Sequence, residues 1–551
     1  MKEEESMNTF RINNRIIGEG YPAYIIAEMS ANHAGSIERA KEIIRAAKEA
    51  GADCVKIQTY TPDTLTIDCH NEYFAITDGT WKGENLYGLY GKAYTPLEWQ
   101  AELYEEAKRI GIDFFSTPFD NETADFLEDM GMEFYKIASF EMIDLDFLRH
   151  VAAKQKPMIV STGMSTLEEM KEAVNAIYET GNHQLALLKC SSAYPAISDE
   201  MNLKTIQHMK DTFGIPIGLS DHSMGSLGAV TAVALGACII EKHFCLGREI
   251  ENPDASFSMT PEEFKKMVED VRAVERAMGK PTYGMAPSEK NNMVFRRSLF
   301  VVKDIKEGEA FTEENTRSIR PGYGAKPKYR QDFLTMKAGV DIKRGEPLQF
   351  EQVQKGAILF LTNNSNTDSF YKRLCECEEC VYRFTNRLTL DILEKLEPSF
   401  VISFNYKYII EADVIARMKG RIINLHTSFL PYNKGASPNF FSFLTDTPKG
   451  VTIHEMTPGL DEGAVLIQEE VQMDAAEETF ASSYDKLMKC METLFFDNWS
   501  KIKNGEIQGS LQKGPGTYHT SKELKAIREK VDFDWSENIV RVMDRIKNDS
   551  N

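Results

Sequence analysis

The chain has 551 residues, with 64 Lys and Arg against 84 Asp and Glu and a net charge of -20. This length exceeds what one hydrophobic core supports, so we expect three or more domains. No basic stripe favours nucleic acid, no apolar run is long enough for a membrane span, and the N-terminal MKEEESMNTF lacks the apolar core of a signal peptide.

Nine cysteines are scattered along the chain, mostly inside apolar strand-like runs. This usage is typical of a reducing compartment, so we predict a cytoplasmic protein. Cys375, Cys377 and Cys380 form a C-x-C-x-x-C group that invites a zinc interpretation. No fourth ligand follows at a suitable spacing, and we do not favour a metal there.

Residues 23–280 alternate apolar strand-like runs with amphipathic helical segments. The runs are AYIIAE, ADCVKIQ, IDFFST, FYKIAS, PMIVS, LALLKC, IPIGLS and ACIIEKH. Segments between them, such as SIERAKEIIRAAKEAG, carry apolar residues at three- and four-residue spacing. Eight strands alternating with helices indicate a closed parallel βα barrel, which we assign to residues 1–282. An open doubly wound sheet is the alternative, but no glycine-rich turn follows the first strand.

Every one of these strands ends in polar side chains, which a barrel gathers at one face. They are Glu28; Lys56 and Gln58; Ser116 and Thr117; Lys136, Ser139 and Glu141; Ser161 and Thr162; Lys189 and Ser191; Ser220, Asp221 and His222; and Glu241 and His243. Any one of them could cap the next helix. Together, with three lysines among them, they predict a polar pocket for an anionic ligand.

His222 and His243 close two successive strands. A lone histidine there is often a hydrogen-bonded core residue, but two favour a divalent metal. Two neutral imidazoles leave the metal open positions, so that it can polarise a substrate carbonyl. Glu28 and Asp254 are candidates for proton transfer or for holding sugar hydroxyls. The residues alone therefore predict a metal-assisted barrel enzyme acting on a phosphorylated acid.

A linker at 283–295 leads to a weak internal repeat, in which VVKDIKEGEAFTEEN recurs as AGVDIKRGEPLQFEQ. Each copy has the pattern of a strand, a Gly turn and a strand, which predicts a small β-rich module at 296–354. Between the copies lies SIRPGYGAKP. Its Arg320 either stands in a simple turn or belongs to a lid over a pocket.

Residues 355–551 contain a further α/β pattern (AILFL, SFVIS, RIINLH, GVTIHEM, AVLIQEEV) and a polar helical tail. Asn424 and His426 lie on one strand face, and Asp461 follows in a Leu-Asp-Glu-Gly turn. They make a fair acyl-transfer set, with Asn424 for the oxyanion, His426 as proton carrier and Asp461 orienting it. A strand-end histidine near an ordinary turn aspartate is the structural alternative.

The barrel motifs IIAEMSANHAGS, FFSTPFD, YKIASFE, LLKCSSAYPA, GLSDHS and IIEKHF resemble those of sialic acid synthases, in the same order. The resemblance covers residues 10–350 and implies a TIM barrel followed by an antifreeze-like (SAF) domain. It implies condensation of phosphoenolpyruvate with an open-chain acylated amino sugar, giving a nine-carbon acid and phosphate. It also implies a domain-swapped homodimer in which Arg320 reaches the partner's active site.

The same resemblance implies the roles of the pocket residues. His222 and His243 would bind Mn or Mg. The residues expected to hold phosphoenolpyruvate are Lys56, Lys136, Ser139, Ser161 and Ser191. The residues expected to meet the sugar are Glu28, Gln58, Tyr194, Asp254 and Arg320. Thr117, Glu141, Lys189 and Ser220 complete the predicted substrate pocket.

Three segments favour one branch of that family. QTYTPDTLTID, WKGENLYGLYGKAYTPLEW and FRRSLFVVKDI are most similar to pseudaminic acid synthases, which use 2,4-diacetamido-2,4,6-trideoxy-altrose. Legionaminic and neuraminic acid synthases are the alternatives, because only pocket contacts separate the three.

In the third domain, Asn-x-His, then Ser-x-Leu-Pro with Lys-Gly, then Leu-Asp-x-Gly resembles formyltetrahydrofolate-dependent formyltransferases over about residues 355–520. This implies a Rossmann-like fold, formyltetrahydrofolate as donor, and an amino sugar as acceptor, since nonulosonic acids carry two N-acyl groups. The segment CECEECVYRFTN leaves little room for the second strand and helix of that fold. The competing hypothesis is a non-catalytic domain that binds substrate or holds dimers together.

Overall fold

The computed structural model describes residues 9–549, which form two compact units that divide between residues 282 and 283. Residues 1–8, most of the stretch predicted to lack a signal peptide, lie outside this range. Within it, no helix combines the length and the apolar character that crossing a bilayer requires.

The first unit is a closed ring of eight parallel strands, which confirms the predicted barrel and excludes the open sheet. A hairpin of β1 (Thr9–Ile12) and β2 (Arg15–Gly18) precedes it. The barrel strands β3 to β10 are Tyr24–Glu28, Cys54–Thr59, Asp113–Pro118, Tyr135–Ile137, Met158–Ser161, Leu185–Cys190, Ile217–Asp221 and Ile239–His243. Their order is β5-β4-β3-β10-β9-β8-β7-β6, and β5 lies beside β6 to close the ring.

Helices surround the strands and bury one face against them. In α1 (Ile37–Glu49), the Ser36 side chain accepts the Arg39 N–H at the first turn, and apolar residues such as Ile43 and Ala47 are buried. The helices α2 to α10 are Pro62–Leu65, Leu86–Ala93, Leu97–Ile110, Asn121–Asp129, Leu145–Ala152, Leu167–Tyr178, Thr205–Phe213, Leu227–Ala234 and Pro261–Met278.

The register of the barrel strands sets the positions of the polar strand ends. Glu28 of β3 lies opposite both Lys56 of β4 and His243 of β10. Glu241 of β10 lies opposite Ser220 of β9. The carboxyl ends of the parallel strands therefore meet at one face, as predicted.

The second unit begins with the repeat module, built on β11 (Ser298–Val301), β12 (Thr316–Ile319) and α11 (Arg330–Phe333). Its two copies make reciprocal contacts. The Lys306 Nζ lies 2.6 Å from an Asp341 carboxylate oxygen, and the Lys343 Nζ lies 3.1 Å from an Asp304 oxygen. Equivalent positions of the sequence repeat thus pair with each other across the module.

A mixed α/β sheet follows the module. The strands β13 to β20 are Ile358–Leu361, Val381–Phe384, Phe400–Phe404, Ile422–His426, Lys434–Gly435, Gly450–Glu455, Val465–Glu470 and Tyr518–His519. Six of them form a sheet in the order β14-β13-β15-β16-β18-β19, and β17 pairs with β20. The helices α12 to α18 are Asp368–Cys377, Leu390–Leu396, Ala412–Met418, Pro438–Leu444, Phe480–Lys503, Ser521–Lys530 and Ile539–Asp549.

The expectation that CECEECVYRFTN leaves little room for a second strand and helix was wrong. The strand β14 forms within this segment and pairs in parallel with β13. The segment is long enough for this strand because α12 ends at Cys377 and only three residues separate that end from Val381. The predicted helical tail packs against the sheet domain, with Phe533 and Val542 in one cluster with Phe440 and Phe480.

The repeat module and the sheet share one hydrophobic core, which includes Phe333 and Phe350 from the module and Tyr382 and Phe384 from β14. A buried carboxylate lies beside this core. Asp332 accepts hydrogen bonds from the Thr385 N–H at 2.7 Å, the Thr385 hydroxyl at 2.9 Å and the Asn386 amide at 2.7 Å. Asp332 is therefore the polar link that joins α11 to the loop after β14.

We predict that Asp332→Ala destabilises the second unit by about 3 kcal/mol, because buried donors on the β14 loop lose their acceptor. Urea unfolding of the full chain would measure this change. Asp341→Ala is the matched control, since its side chain is 51% exposed and a surface ion pair contributes less than about 1 kcal/mol. Equal shifts for the two variants would contradict the prediction.

Candidate active sites

Four buried charged side chains meet inside the mouth of the barrel. The Lys56 ammonium contacts the Glu28 carboxylate and lies 3.5 Å from the Glu241 carboxylate. The Lys136 ammonium lies 3.3 Å from the same Glu241 oxygen. All four side chains are at most 5% exposed. Two lysines and two glutamates thus balance in charge within the pocket that the sequence predicted.

The pKa values of Glu241 and Lys56 reflect the attraction between these opposite charges. Burial raises the pKa of Glu241, but Lys136 and Lys56 outweigh it and bring the pKa to about 2. Burial lowers the pKa of Lys56 to about 7, and the attraction of Glu241 opposes this shift. Glu241 is therefore ionised at neutral pH, whereas Lys56 is poised to gain or lose a proton.

Polar side chains extend this cluster. The Ser220 hydroxyl donates to Glu241 at 3.0 Å, and the Gln58 amide donates to Glu28 at 3.2 Å. The Lys56 ammonium donates to the Thr117 hydroxyl at 3.4 Å. Glu241 was noted in the sequence only as a strand end. Its central position follows from the closed ring, which brings β10 beside β3 and β9.

His222 and His243 lie side by side, with ring centroids 5.4 Å apart. The Nδ1 of His222 donates to the Ser191 carbonyl at 2.9 Å, so Nε2 is the nitrogen left for a ligand. Burial lowers the pKa of His222, but Cys190 outweighs it and raises the pKa, so a bound metal would displace a proton from this ring. The Nδ1 of His243 is buried and has no hydrogen-bond partner among the described residues. Burial, with the nearby His222, lowers the pKa of His243 well below its usual value, so that it is the neutral form that binds metals.

These features fit a divalent cation held by two imidazoles. Within residues 9–549, no group of three or more His, Cys, Asp or Glu side chains is arranged to hold a metal, and this includes the three clustered cysteines. Two protein ligands would leave several coordination positions for substrate and water.

An aromatic wall stands beside the two histidines. The Tyr194 ring lies 4.3 Å from the His222 ring and 5.3 Å from Phe257. Trp81 lies 5.5 Å from Tyr194, and its indole N–H donates to the Pro253 carbonyl at 3.0 Å. Sequence reasoning assigned no role to Trp81 or Phe257. The sequence signal for Trp81 was the segment that it begins, which is similar to pseudaminic acid synthases. Phe257 lies outside that segment.

Three further predicted pocket residues, at or just after the ends of β6 and β7, do not join the ion pairs. The Ser139 hydroxyl lies 3.1 Å from that of Ser192, the Ser161 hydroxyl is buried without a partner in the described chain, and burial raises the pKa of Glu141 to about 7. The Cβ of an alanine at Gly163 would lie 2.4 Å from the Ser139 Cβ, so glycine at this position leaves room for the Ser139 side chain.

Other predicted residues lie apart from the charged cluster. Asp254 is buried and accepts the Ala31 N–H at 3.0 Å. The Lys189 ammonium donates to the Cys190 carbonyl at 2.7 Å. Asp221 pairs with Lys242 at 2.7 Å between β9 and β10. Arg320 belongs to the second unit, where it is exposed in the loop after β12, and its role at a partner's site stays a prediction.

In the second unit, β16 presents Asn424 and His426, and Asp461 faces them from the turn before β19. The Asn424 amide donates to Asp461 at 3.2 Å, and the His426 Nδ1 lies 3.8 Å from the other Asp461 oxygen. The structure thus brings together the three residues predicted as an acyl-transfer set.

A second imidazole completes this site. The His454 Nε2 lies 3.2 Å from the Asn424 amide and 3.6 Å from Asp461. Sequence reasoning passed over His454, although it stands in the strand GVTIHEM. The antiparallel register of β16 and β18 sets it opposite Asn424.

Asp461 is held as a carboxylate. Burial alone would raise its pKa, but His426, His454 and the Gly435 N–H at 2.9 Å outweigh it and lower the pKa below the usual range. Burial lowers the pKa of His426, so that its imidazole is neutral and able to accept a proton.

Comparisons with known proteins match the barrel, the repeat module and the sheet domain. The family model described as "NeuB family" matches residues 43–283, the SAF domain model matches residues 296–354, and the formyl transferase model matches residues 378–497. Pseudaminic acid synthase of Campylobacter jejuni is 49% identical over 326 residues, which cover 59% of this chain and 95% of that protein. The chain belongs to the NeuB family.

A second relative agrees with this assignment, since Helicobacter pylori pseudaminic acid synthase is 42% identical over 61% of this chain and 98% of that protein. This NeuB-family chain carries a SAF domain and a C-terminal formyltransferase domain. A solved structure of the formyltransferase PseJ from Anoxybacillus kamchatkensis is 37% identical over 34% of this chain and 97% of that chain, with a TM-score of 0.32.

The NeuB-family barrel also exposes apolar side chains around its mouth. They follow the ends of strands β6 to β9 and are 53% to 76% exposed. The rim residues are Phe140, Ile143, Met164, Ile197, Met224 and Leu227. A set of exposed apolar side chains at one face is typical of a surface that another protein covers.

Proposed function

We propose that the barrel condenses phosphoenolpyruvate with open-chain 2,4-diacetamido-2,4,6-trideoxyaltrose to give pseudaminic acid and phosphate. The observation that carries this proposal is the buried pair Lys56 and Lys136 around Glu241, which offers two ammonium groups to a phosphate and a carboxylate. The 49% identity to a pseudaminic acid synthase along the barrel supports the choice of sugar.

Each part of the pocket has its own task in this reaction. Lys56, Lys136, Ser139, Ser161 and Ser191 bind phosphoenolpyruvate. Glu28, Gln58, Tyr194 and Asp254 orient the sugar. His222 and His243 would hold Mn or Mg, which supplies Lewis-acid polarisation of the sugar carbonyl when bound.

The bonds then change in a fixed order. The C3 carbon of phosphoenolpyruvate attacks the aldehyde carbon, and a new carbon–carbon bond forms. Water adds at C2, and its two protons pass to the former aldehyde oxygen and to the phosphate. Phosphate leaves as its C–O bond breaks and the C2 carbonyl forms. The phosphate charge stays beside Lys56, whose pKa of about 7 rises again when an anion binds next to it.

We propose a cytoplasmic homodimer as the working form. The apolar rim around the barrel mouth supports an intersubunit surface, because exposed side chains such as Met164 and Leu227 gain by burial. The nine cysteines are all unpaired, which supports a reducing compartment.

We predict that the full chain releases phosphate from phosphoenolpyruvate with the diacetamido-trideoxyaltrose at least tenfold faster than with the legionaminic precursor or N-acetylmannosamine. His222→Asn and His243→Asn should each lower kcat at least 100-fold and weaken calorimetric Mn binding, because each removes one of two ligands. The exposed His208→Asn serves as control.

Three results would count against the proposal. Phosphate release with none of the three sugars would refute a nonulosonic acid synthase, and faster release with another sugar would assign the chain to that branch. Full activity of His222→Asn in chelator-treated buffer would refute the metal role.

We propose that the C-terminal domain transfers a formyl group from formyltetrahydrofolate to the amine of a precursor of the same sugar. The amine nitrogen attacks the formyl carbon, a carbon–nitrogen bond forms, and the bond from that carbon to folate N10 breaks. The Asn424 amide, which contacts Asp461 and His454, would turn one N–H toward the oxyanion, and neutral His426 can carry the amine proton to N10. Asp461, which contacts the amide and lies near the imidazole, would stabilise the charged imidazole.

We predict that the full chain formylates 2-acetamido-4-amino-2,4,6-trideoxyaltrose, as the free sugar or linked to UDP, as mass spectrometry would show. His426→Asn should lower the rate at least 100-fold and leave phosphate release by the barrel unchanged. Absence of both product and folate binding in the unmodified chain would instead favour a non-catalytic binding or dimerisation domain.

A further inference from the structure

A segment near the C-terminus runs along the formyltransferase site. We call residues 509–520 the C-terminal strap. It lies beyond the region 378–497 that the formyl transferase model matches. Its C-terminal end forms β20, which pairs in parallel with the two-residue strand β17. Sequence patterns predicted no role for this segment, because no motif of the acyl-transfer set lies in it.

One strap residue fixes the loop that holds His426. The Thr517 hydroxyl accepts the Asn433 N–H at 2.7 Å, and the Lys434 N–H donates to the Thr517 carbonyl at 2.9 Å. The Asn433 carbonyl in turn accepts from the His426 Nε2 at 3.2 Å. Thr517 therefore positions the group that orients His426.

The strap also fixes the backbone donor to Asp461. Pairing with β20 holds Gly435, and the Ala436 N–H donates to the His519 carbonyl at 2.9 Å. The Gly435 N–H donates to the Asp461 carboxylate at 2.9 Å. A Cβ on Gly435 would lie 2.4 Å from the His519 carbonyl oxygen, so the two strands approach too closely for a side chain.

A second strap residue holds the turn that carries Asp461. The Gln512 side chain donates to the carbonyls of Asp461 at 2.8 Å and Gly463 at 2.9 Å. Asp461 has a φ of +51°, a left-handed conformation that is strained for a residue other than glycine. Side-chain hydrogen bonds to both ends of this turn stabilise that conformation.

We propose that the C-terminal strap is a positioning element for formyl transfer, with Thr517 and Gln512 as the residues that set the His426 and Asp461 geometry. This inference rests on the proposed formyltransferase function. Neither residue contacts His426 or the Asp461 carboxylate directly. Thr517 acts through the Asn433 backbone, and Gln512 acts through the backbone carbonyls of the Asp461 turn. A displacement of a catalytic group by about 1 Å lowers a rate by about 100-fold.

The test compares Thr517→Val, Thr517→Ser and Gln512→Ala in the full chain, with exposed Lys513→Ala as the matched control. We expect Thr517→Val and Gln512→Ala to lower kcat for formyl transfer about 10- to 100-fold, with KM for formyltetrahydrofolate within about twofold. Thr517→Ser keeps the hydroxyl and should restore most of kcat. Phosphate release by the barrel should stay constant in all four variants.

A second measurement does not depend on the reaction. Hydrogen exchange of the Asn433 amide should be faster in Thr517→Val than in Thr517→Ser, because the first variant loses the acceptor of this amide on the strap. Unchanged exchange, unchanged kcat, or a loss that Thr517→Ser does not restore would each overturn the inference. A wild-type chain without formyl transfer would overturn the proposed function, and the inference with it.

Discussion

The barrel site depends on the mutual neutralisation of charges that no barrel interior could hold singly. Lys56 and Lys136 are buried, and an isolated buried ammonium would lose its proton. At Lys56, Glu241 opposes this loss, and Glu28 contacts the same ammonium. These groups come from β3, β4, β6 and β10, so the cluster exists only when the ring closes. The closed ring that buries the two lysines therefore also brings the carboxylates beside them. The anion site depends in this way on closure of the barrel.

The formyltransferase domain also stabilises a buried charge with neighbouring groups, but there the buried charge is negative. There a single buried carboxylate, Asp461, is stabilised by two imidazoles and a backbone N–H. Its domain shares a core with the SAF module, and Asp332 reinforces that junction. The chain thus joins two reactions of amino sugars through a module that is itself a packed repeat.

Much of this could be predicted from local sequence. Eight apolar runs with polar ends predicted the barrel and its polar strand ends, and Asn424, His426 and Asp461 predicted the second site. These predictions were possible because each signal lies within a single strand or turn. Glu241 and His454 were visible as strand residues, but their contacts depend on which strands become neighbours. Trp81 and Thr517 reach their sites from segments outside the core motifs. Such long-range contacts depend on three-dimensional packing that periodicity does not encode.

The most direct test of the central claim is proton uptake when phosphoenolpyruvate binds, measured by calorimetry at pH 8 in buffers of different ionisation enthalpy. Lys56, with a pKa of about 7, is mostly neutral at that pH and should regain its proton beside the anion. We predict uptake approaching about one proton in the wild type, and none in Lys56→Arg, whose guanidinium is always charged. Binding without proton uptake, or equal uptake in Lys56→Arg, would contradict the account.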